Sequence, residues 1–244
     1  MKIICYLSYG YPSIEYSLKM AKCYFEAGAD MMECSLPARD PYLDSEFIAG
    51  RMADALAACD DYDVYLEKLG EFRRENPETR IVLLIYEATM IEIGVEKLLA
   101  FMKKSGINDI IYAGKIDHPE IKAMFIENGI GICCPVNHHM VEKDIEEALH
   151  TNGFTYMEAR PLTGSKEGYE ELAPCIKHLR DVGIDRPIYC GVGIHTLEDV
   201  IYAKEAGGDG VFIGSTLIKL YDKPEEMKKT IAAFKKAATD GTTP

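Results

Sequence analysis

The sequence predicts an α/β protein of the (β/α)8 barrel class, one domain across residues 1–244, and three observations predict it. Eight short apolar runs of strand length recur along the chain, and stretches of helical period lie between them. The runs are almost continuously apolar, as strands of a parallel sheet covered by helices must be. The length, 244 residues, is close to the roughly 250 usual for a barrel. No Pro/Gly/Ser linker, repeat or charge block divides the chain, which favours a closed barrel over an open, doubly wound sheet.

The elements follow in order. Strands are expected over residues 3–8, 31–36, 81–86, 109–113, 131–134, 154–158, 188–190 and 210–213. Helices are expected over 13–27, 47–58, 95–104, 141–150, 169–182, 197–206 and 225–238, with a short one over 217–221. Gly28, Gly106, Gly153, Gly183 and Gly207 each follow a periodic stretch, where a left-handed helix end is wanted. Thr196, with Asp199 three residues on, reads as a capping box. Residues 240–244 read as a frayed end.

Composition narrows the function. A formal charge of -13 leaves no surplus of Lys or Arg for nucleic acid or an anionic membrane, so neither is expected as a partner. The opening apolar run is too short for a signal peptide or a membrane span. Eight cysteines without a C-x-x-C read as reduced thiols packed as small hydrophobes, which implies a cytoplasmic protein.

Barrel chemistry gathers at the C-terminal ends of the strands. Three glycine-bearing loops stand there in register with the last three strands: Leu162-Thr163-Gly164-Ser165, Gly191-Val192-Gly193-Ile194 and Gly214-Ser215-Thr216. Glycines admit a ligand close to the backbone and a helix start offers free N–H donors, so the three together read as a phosphate cradle. Glu33 lies inside the apolar second strand, where burial would raise its pKa towards neutrality and fit it for acid/base work. A structural carboxylate is the alternative for Glu33, and a helix N-cap the alternative for Asp44, eleven residues on. Tyr6, Leu84, Tyr86, Ile111, Ala113, Tyr156 and Val192 sit at strand ends, where they serve as barrel core or as the wall of a pocket for a flat ring. Glu87 and Glu158 are further carboxylates near strand ends; Glu158, if it alternates with Tyr156, points inward, unless it pairs with Arg160 or Lys166 at the rim. Lys115 reads as solvated and His138-His139 as a surface pair.

On these residues the sequence resembles the tryptophan synthase alpha chain family. The resemblance runs through Gly10-Tyr11-Pro12-Ser13, Gly28-Ala29-Asp30, Glu33, Pro37, Asp40-Pro41, Asp44, Leu83 to Tyr86, Gly94, Gly153 to Tyr156, Arg160, Thr163-Gly164, Gly191 to Ile194 and Asp209-Gly210 to Gly214-Ser215. It implies a barrel lyase that cleaves indole-3-glycerol phosphate to indole and glyceraldehyde 3-phosphate, without a cofactor or metal. By the same resemblance Glu33 is the general acid/base, Asp44 receives the indole N–H, and Tyr156 supports the mouth beside Glu33. Gly164, Gly193, Gly214 and Ser215 hold the phosphate. The chain departs from the family at Ser45-Glu46, where the family reads Gly-Pro, and at Gly114, where it carries Asp; these departures bear on the beta chain that the family implies as partner. The helix usual before the first strand is not seen, so the barrel bottom is expected open or differently covered. A different phosphate-binding barrel lyase or isomerase, and a non-catalytic binding subunit, are the alternatives.

Overall fold

The structure is a computed structural model and describes residues 1–115 and 118–240. Of the expected frayed end 240–244, Asp240 still belongs to the last helix, and residues 241–244 lie outside the described residues. Among the described residues nine strand segments form one sheet: β1 (Lys2–Ser8), β2 (Met31–Ser35), β3 (Ile81–Tyr86), β4 (Asp109–Ala113), β5 (Gly131–Ile132), β6 (Cys134–Val136), β7 (Thr155–Glu158), β8 (Ile188–Gly191) and β9 (Gly210–Ile213). Their order is β5-β4-β3-β2-β1-β9-β8-β7-β6, and every neighbouring pair is parallel.

The two ends of that order are separated in the chain only by Cys133. The Cys133 N–H donates to the Ile110 carbonyl on β4, and the Cys134 N–H to the Phe154 carbonyl just before β7. The sheet therefore closes on itself through one strand that changes neighbours midway. This is where the expected strand 131–134 divides. Gly153 sits at the same seam, and it is not the left-handed helix end expected of it. A Cβ there would lie 2.3 Å from the Ile132 carbonyl oxygen, so glycine is required by close approach. Gly28, Gly106, Gly183 and Gly207 do have the positive φ expected of them.

Strand alternation sorts side chains into two layers. Ile4, Met31, Val82, Cys133, Phe154, Tyr189 and Phe212 fill the inside of the ring. Residues one step along, such as Cys5, Met32, Leu83 and Ile110, pack outward against the helices. Those helices are α1 (Ile14–Glu26), α2 (Glu46–Ala58), α3 (Tyr62–Glu75), α4 (Glu87–Ile93), α5 (Val95–Ser105), α6 (Pro119–Glu127), α7 (Glu142–His150), α8 (Leu172–Asp181), α9 (Leu197–Glu205), α10 (Ser215–Ile218) and α11 (Pro224–Asp240). The capping box of α9 forms as expected from Thr196 and Asp199. Three helices, α3, α4 and α6, were not expected from the sequence. All eight cysteines are free thiols. Among the described residues no helix is long and apolar enough to cross a membrane.

At the N-terminal ends of the strands a cavity of about 740 Å³ opens among Lys2, Asp30, Arg180, Asp209 and Lys235. Asp30 closes this end of β1: its carboxylate accepts from the Ile3 N–H at 2.8 Å and from Lys235 Nζ at 2.7 Å.

Candidate active site

Glu33 is the middle residue of β2, two steps from Met31, so it faces the inside of the ring just above the inner core. Its side chain is 8% exposed. Burial first, and the nearby Asp44 carboxylate second, push its pKa up to about 8. A carboxyl in that position is mostly protonated at neutral pH and can both give and take a proton.

Asp44 reaches the same place from the β2–α2 loop. It is not the cap of α2; the Ser45 hydroxyl accepts the Ile48 N–H instead. This leaves the Asp44 carboxylate free to turn inward, where Tyr86 Oη donates to Oδ2 at 2.6 Å. Burial raises the Asp44 pKa and the Tyr86 hydroxyl opposes the rise. The loop is held over the mouth by contacts to the next two units. Arg39 forms a two-pronged pair with Glu92, Lys115 Nζ lies 2.7 Å from Asp40 Oδ2, and the Tyr42 and Tyr86 rings meet edge to face at 5.3 Å. Lys115 is thus solvent-exposed but paired. Glu87, the first residue of α4, accepts from the Lys115 N–H and contacts His118 Nε2 at 2.6 Å.

The far wall is Tyr156 on β7, stacked on Phe212 and running over Gly191, where a Cβ would lie 1.9 Å from the Tyr156 hydroxyl oxygen. Tyr6, Leu84, Ile111 and Ala113 share the inward register of Ile4 and Val82 and line the same space. Val192 does not; it stands 44% exposed on the rim, with a left-handed φ of 53°. Glu158 is inward by alternation with Tyr156, half-buried, and pairs with neither Arg160 nor Lys166. Arg160 pairs with Asp199 and stacks on Tyr202. Glu158 Oε1 accepts from the Leu162 N–H at 3.4 Å, and Oε2 is buried without a partner.

The three glycine loops gather beside this wall. Gly164 and Gly193 have φ of 100° and 95°, and a Cβ on Gly193 would press to 2.7 Å on Arg160 Cγ. Gly214 is the N-cap of α10, so Ser215 begins that helix. Two histidines stand here: His195, which sequence reasoning missed, and His139, which it read as half of a surface pair. His195 Nδ1 lies 3.2 Å from Ser215 Oγ, and His139 Nε2 lies 3.1 Å from Thr163 Oγ1. The sequence signal for His195 was its place directly after Gly191-Val192-Gly193-Ile194. His138 is fully buried, contrary to a surface pair, with its ring nitrogens on the Tyr169 and Glu158 carbonyls. Among the described residues no group of three or more His, Cys, Asp or Glu is arranged to hold a metal ion.

Comparison with known proteins adds three findings. The family model for the tryptophan synthase alpha chain matches residues 1–242. A tryptophan synthase alpha chain of Escherichia fergusonii is 29% identical, with 96% of this chain and 91% of that protein covered. Among solved structures, one from Aquifex aeolicus superposes with a TM-score of 0.85 at 26% identity, covering 96% of this chain and 92% of the other. The tryptophan synthase subunit alpha of Legionella pneumophila gives 0.82 at 21% identity, covering 98% and 93%.

Proposed function

The chain belongs to the tryptophan synthase alpha chain family, and from that premise we propose that it is a lyase cleaving indole-3-glycerol phosphate to indole and glyceraldehyde 3-phosphate. The observation that carries the reading is the pairing of two inward carboxyls in one mouth, Glu33 with a pKa near 8 and Asp44 held by Tyr86. Breaking the bond between the ring and the glycerol carbon requires a cationic ring. Protonated Glu33 supplies the proton to the ring carbon, and its carboxylate then takes the proton of the adjacent glycerol hydroxyl as the bond breaks. Glu33 thus ends as it began, protonated. Asp44 accepts the ring N–H and offsets the positive charge that develops there. Tyr156 bounds the ring on the side of β7.

The phosphate end is assigned to the backbone of Gly164, Gly193 and Gly214 with Ser215. Held far from the bond that breaks, it supplies orientation. The tryptophan synthase beta chain is the proposed partner, at the β2–α2 loop; gel filtration of the two chains together tests that. The test of the reaction is indole release by wild type and by Glu33→Gln. A loss of at least ~10²-fold in the variant is expected, and no turnover by the wild type with a beta chain present rejects the reading. Glu158 favours a second reading, a lyase or isomerase acting on a more polar phosphorylated substrate, because its inward carboxylate has an unpartnered oxygen.

A further inference from the structure

Behind the mouth, on the buried face of α2, lies a cationic group that the proposed reaction does not use. Arg51 is 9% exposed, and its guanidinium carbon stands 4.4 Å from the ring centroid of Tyr11, 4.8 Å from Phe47 and 4.7 Å from Tyr221. Nη2 donates to the Ile218 carbonyl at 3.0 Å. Nε and Nη1 are buried with no partner, and among the described residues no carboxylate pairs with the group. A guanidinium taken out of water needs a counter-charge or a full set of acceptors. Three ring faces offset part of that cost; one carbonyl does not supply the rest.

The same side chain borders a cavity of about 490 Å³ between α1, α2 and α10, walled by Tyr11, Tyr16, Phe47 and Tyr221. The volume is that of a small-molecule site. Lys219 and Asp222 stand exposed on its rim with opposite charges, which leaves Arg51 as the uncompensated one. Phe47 is the one wall more than half exposed, at 52%, so its ring can swing aside and admit a ligand to the guanidinium without disturbing the core. The chemistry of the walls selects the ligand. A lone guanidinium balances only one of a phosphate's nearly two charges, and aromatic walls offer no further donors, whereas one negative group on a flat apolar body matches one cation among aromatic faces.

We propose that this cavity is a second ligand site, for a small aromatic carboxylate: the carboxylate is taken by Arg51, and the ring lies against Tyr11, Phe47 and Tyr221. Binding, not turnover, tests it, so its failure is separate from failure of the lyase reading. Benzoate is the probe, and the Nε–Hε signal of Arg51 in a ¹H–¹⁵N spectrum is the readout. The expected result is a saturable shift with benzoate, no shift with benzyl alcohol, and binding at least about tenfold weaker in Arg51→Gln. Should that variant fail to fold, wild type decides through intermolecular NOEs from benzoate to the rings of Tyr11, Phe47 and Tyr221. No saturable shift, an equal response to benzyl alcohol or inorganic phosphate, unchanged binding in Arg51→Gln, or NOEs only to mouth residues such as Tyr156 overturns the assignment.

Discussion

Replacing Glu33 with Gln tests the buried carboxyl through stability, independently of any substrate. The folded protein holds this group at a pKa of about 8 against an ordinary 4.5. A raised carboxyl binds its proton more tightly when folded, so it costs nothing below the unfolded pKa. Above that, it destabilises progressively until pH passes the folded value. At about 1.36 kcal/mol per tenfold in proton affinity, the interval from 4.5 to 8 corresponds to a ceiling of about 5 kcal/mol. Gln has the same shape and no charge at any pH. Urea unfolding of wild type and Glu33→Gln at pH 5 and pH 8.5 measures the difference. The variant should lie within about 1 kcal/mol of wild type at pH 5, and be more stable by about 2–5 kcal/mol at pH 8.5. Every other titrating group is shared, so the change in the gap belongs to Glu33. An equal gap at both pH values would refute a buried, proton-holding Glu33.

Two further outcomes follow from single contacts. Tyr86→Phe removes the hydroxyl that donates to Asp44, the one contact opposing its raised pKa. Turnover should fall about tenfold, and the acidic limb of the pH–rate profile should move to higher pH; an unmoved limb would show that the hydroxyl does not tune Asp44. Asp30→Asn acts at the other end of the ring. Burial works against ionisation of Asp30, but Lys235, the Ile3 N–H and Lys2 outweigh it and hold the carboxyl below its usual range. That stabilisation is present above the unfolded pKa and is lost as pH falls through the folded one. Chemical denaturation should show Asp30→Asn weaker by about 1–3 kcal/mol at pH 7, with the gap closing below pH 4.

Much of the scaffold was legible because strands buried on both faces leave continuous apolar runs, and the helix layer imposes a period of 3.6 between them. The Glu33 position was readable for the same reason: a charge inside an apolar run has only a buried side to face. What escaped was set by tertiary choice. The stretch Tyr62, Tyr65, Leu66, Leu69, Phe72 carries the period of α3, but a second helix within one unit is not required by alternation. Helix α4 begins at the residue after β3, so no turn residues announce it. Asp44 and Ser45 are equally good caps, and only the Tyr86 hydroxyl across the mouth decides between them. An arginine on an amphipathic helix reads as solvated. Burial of Arg51 depends on Tyr11 and Tyr221, which are forty and one hundred and seventy residues away.

The divided strand has a mechanical meaning. Five of the eight neighbouring pairs are stitched over four or five positions, but β4 and β5 share only two, as do β8 and β9, and β6 and β7 only three. A closed hoop has no free edge to fray, so it yields where thin joints adjoin: at the clasp two of them lie on either side of Cys133, against a single one at β8–β9. Breathing of the barrel should therefore begin as a parting of this clasp, with amides around Cys133 exchanging with solvent before those of β1, β2 and β3.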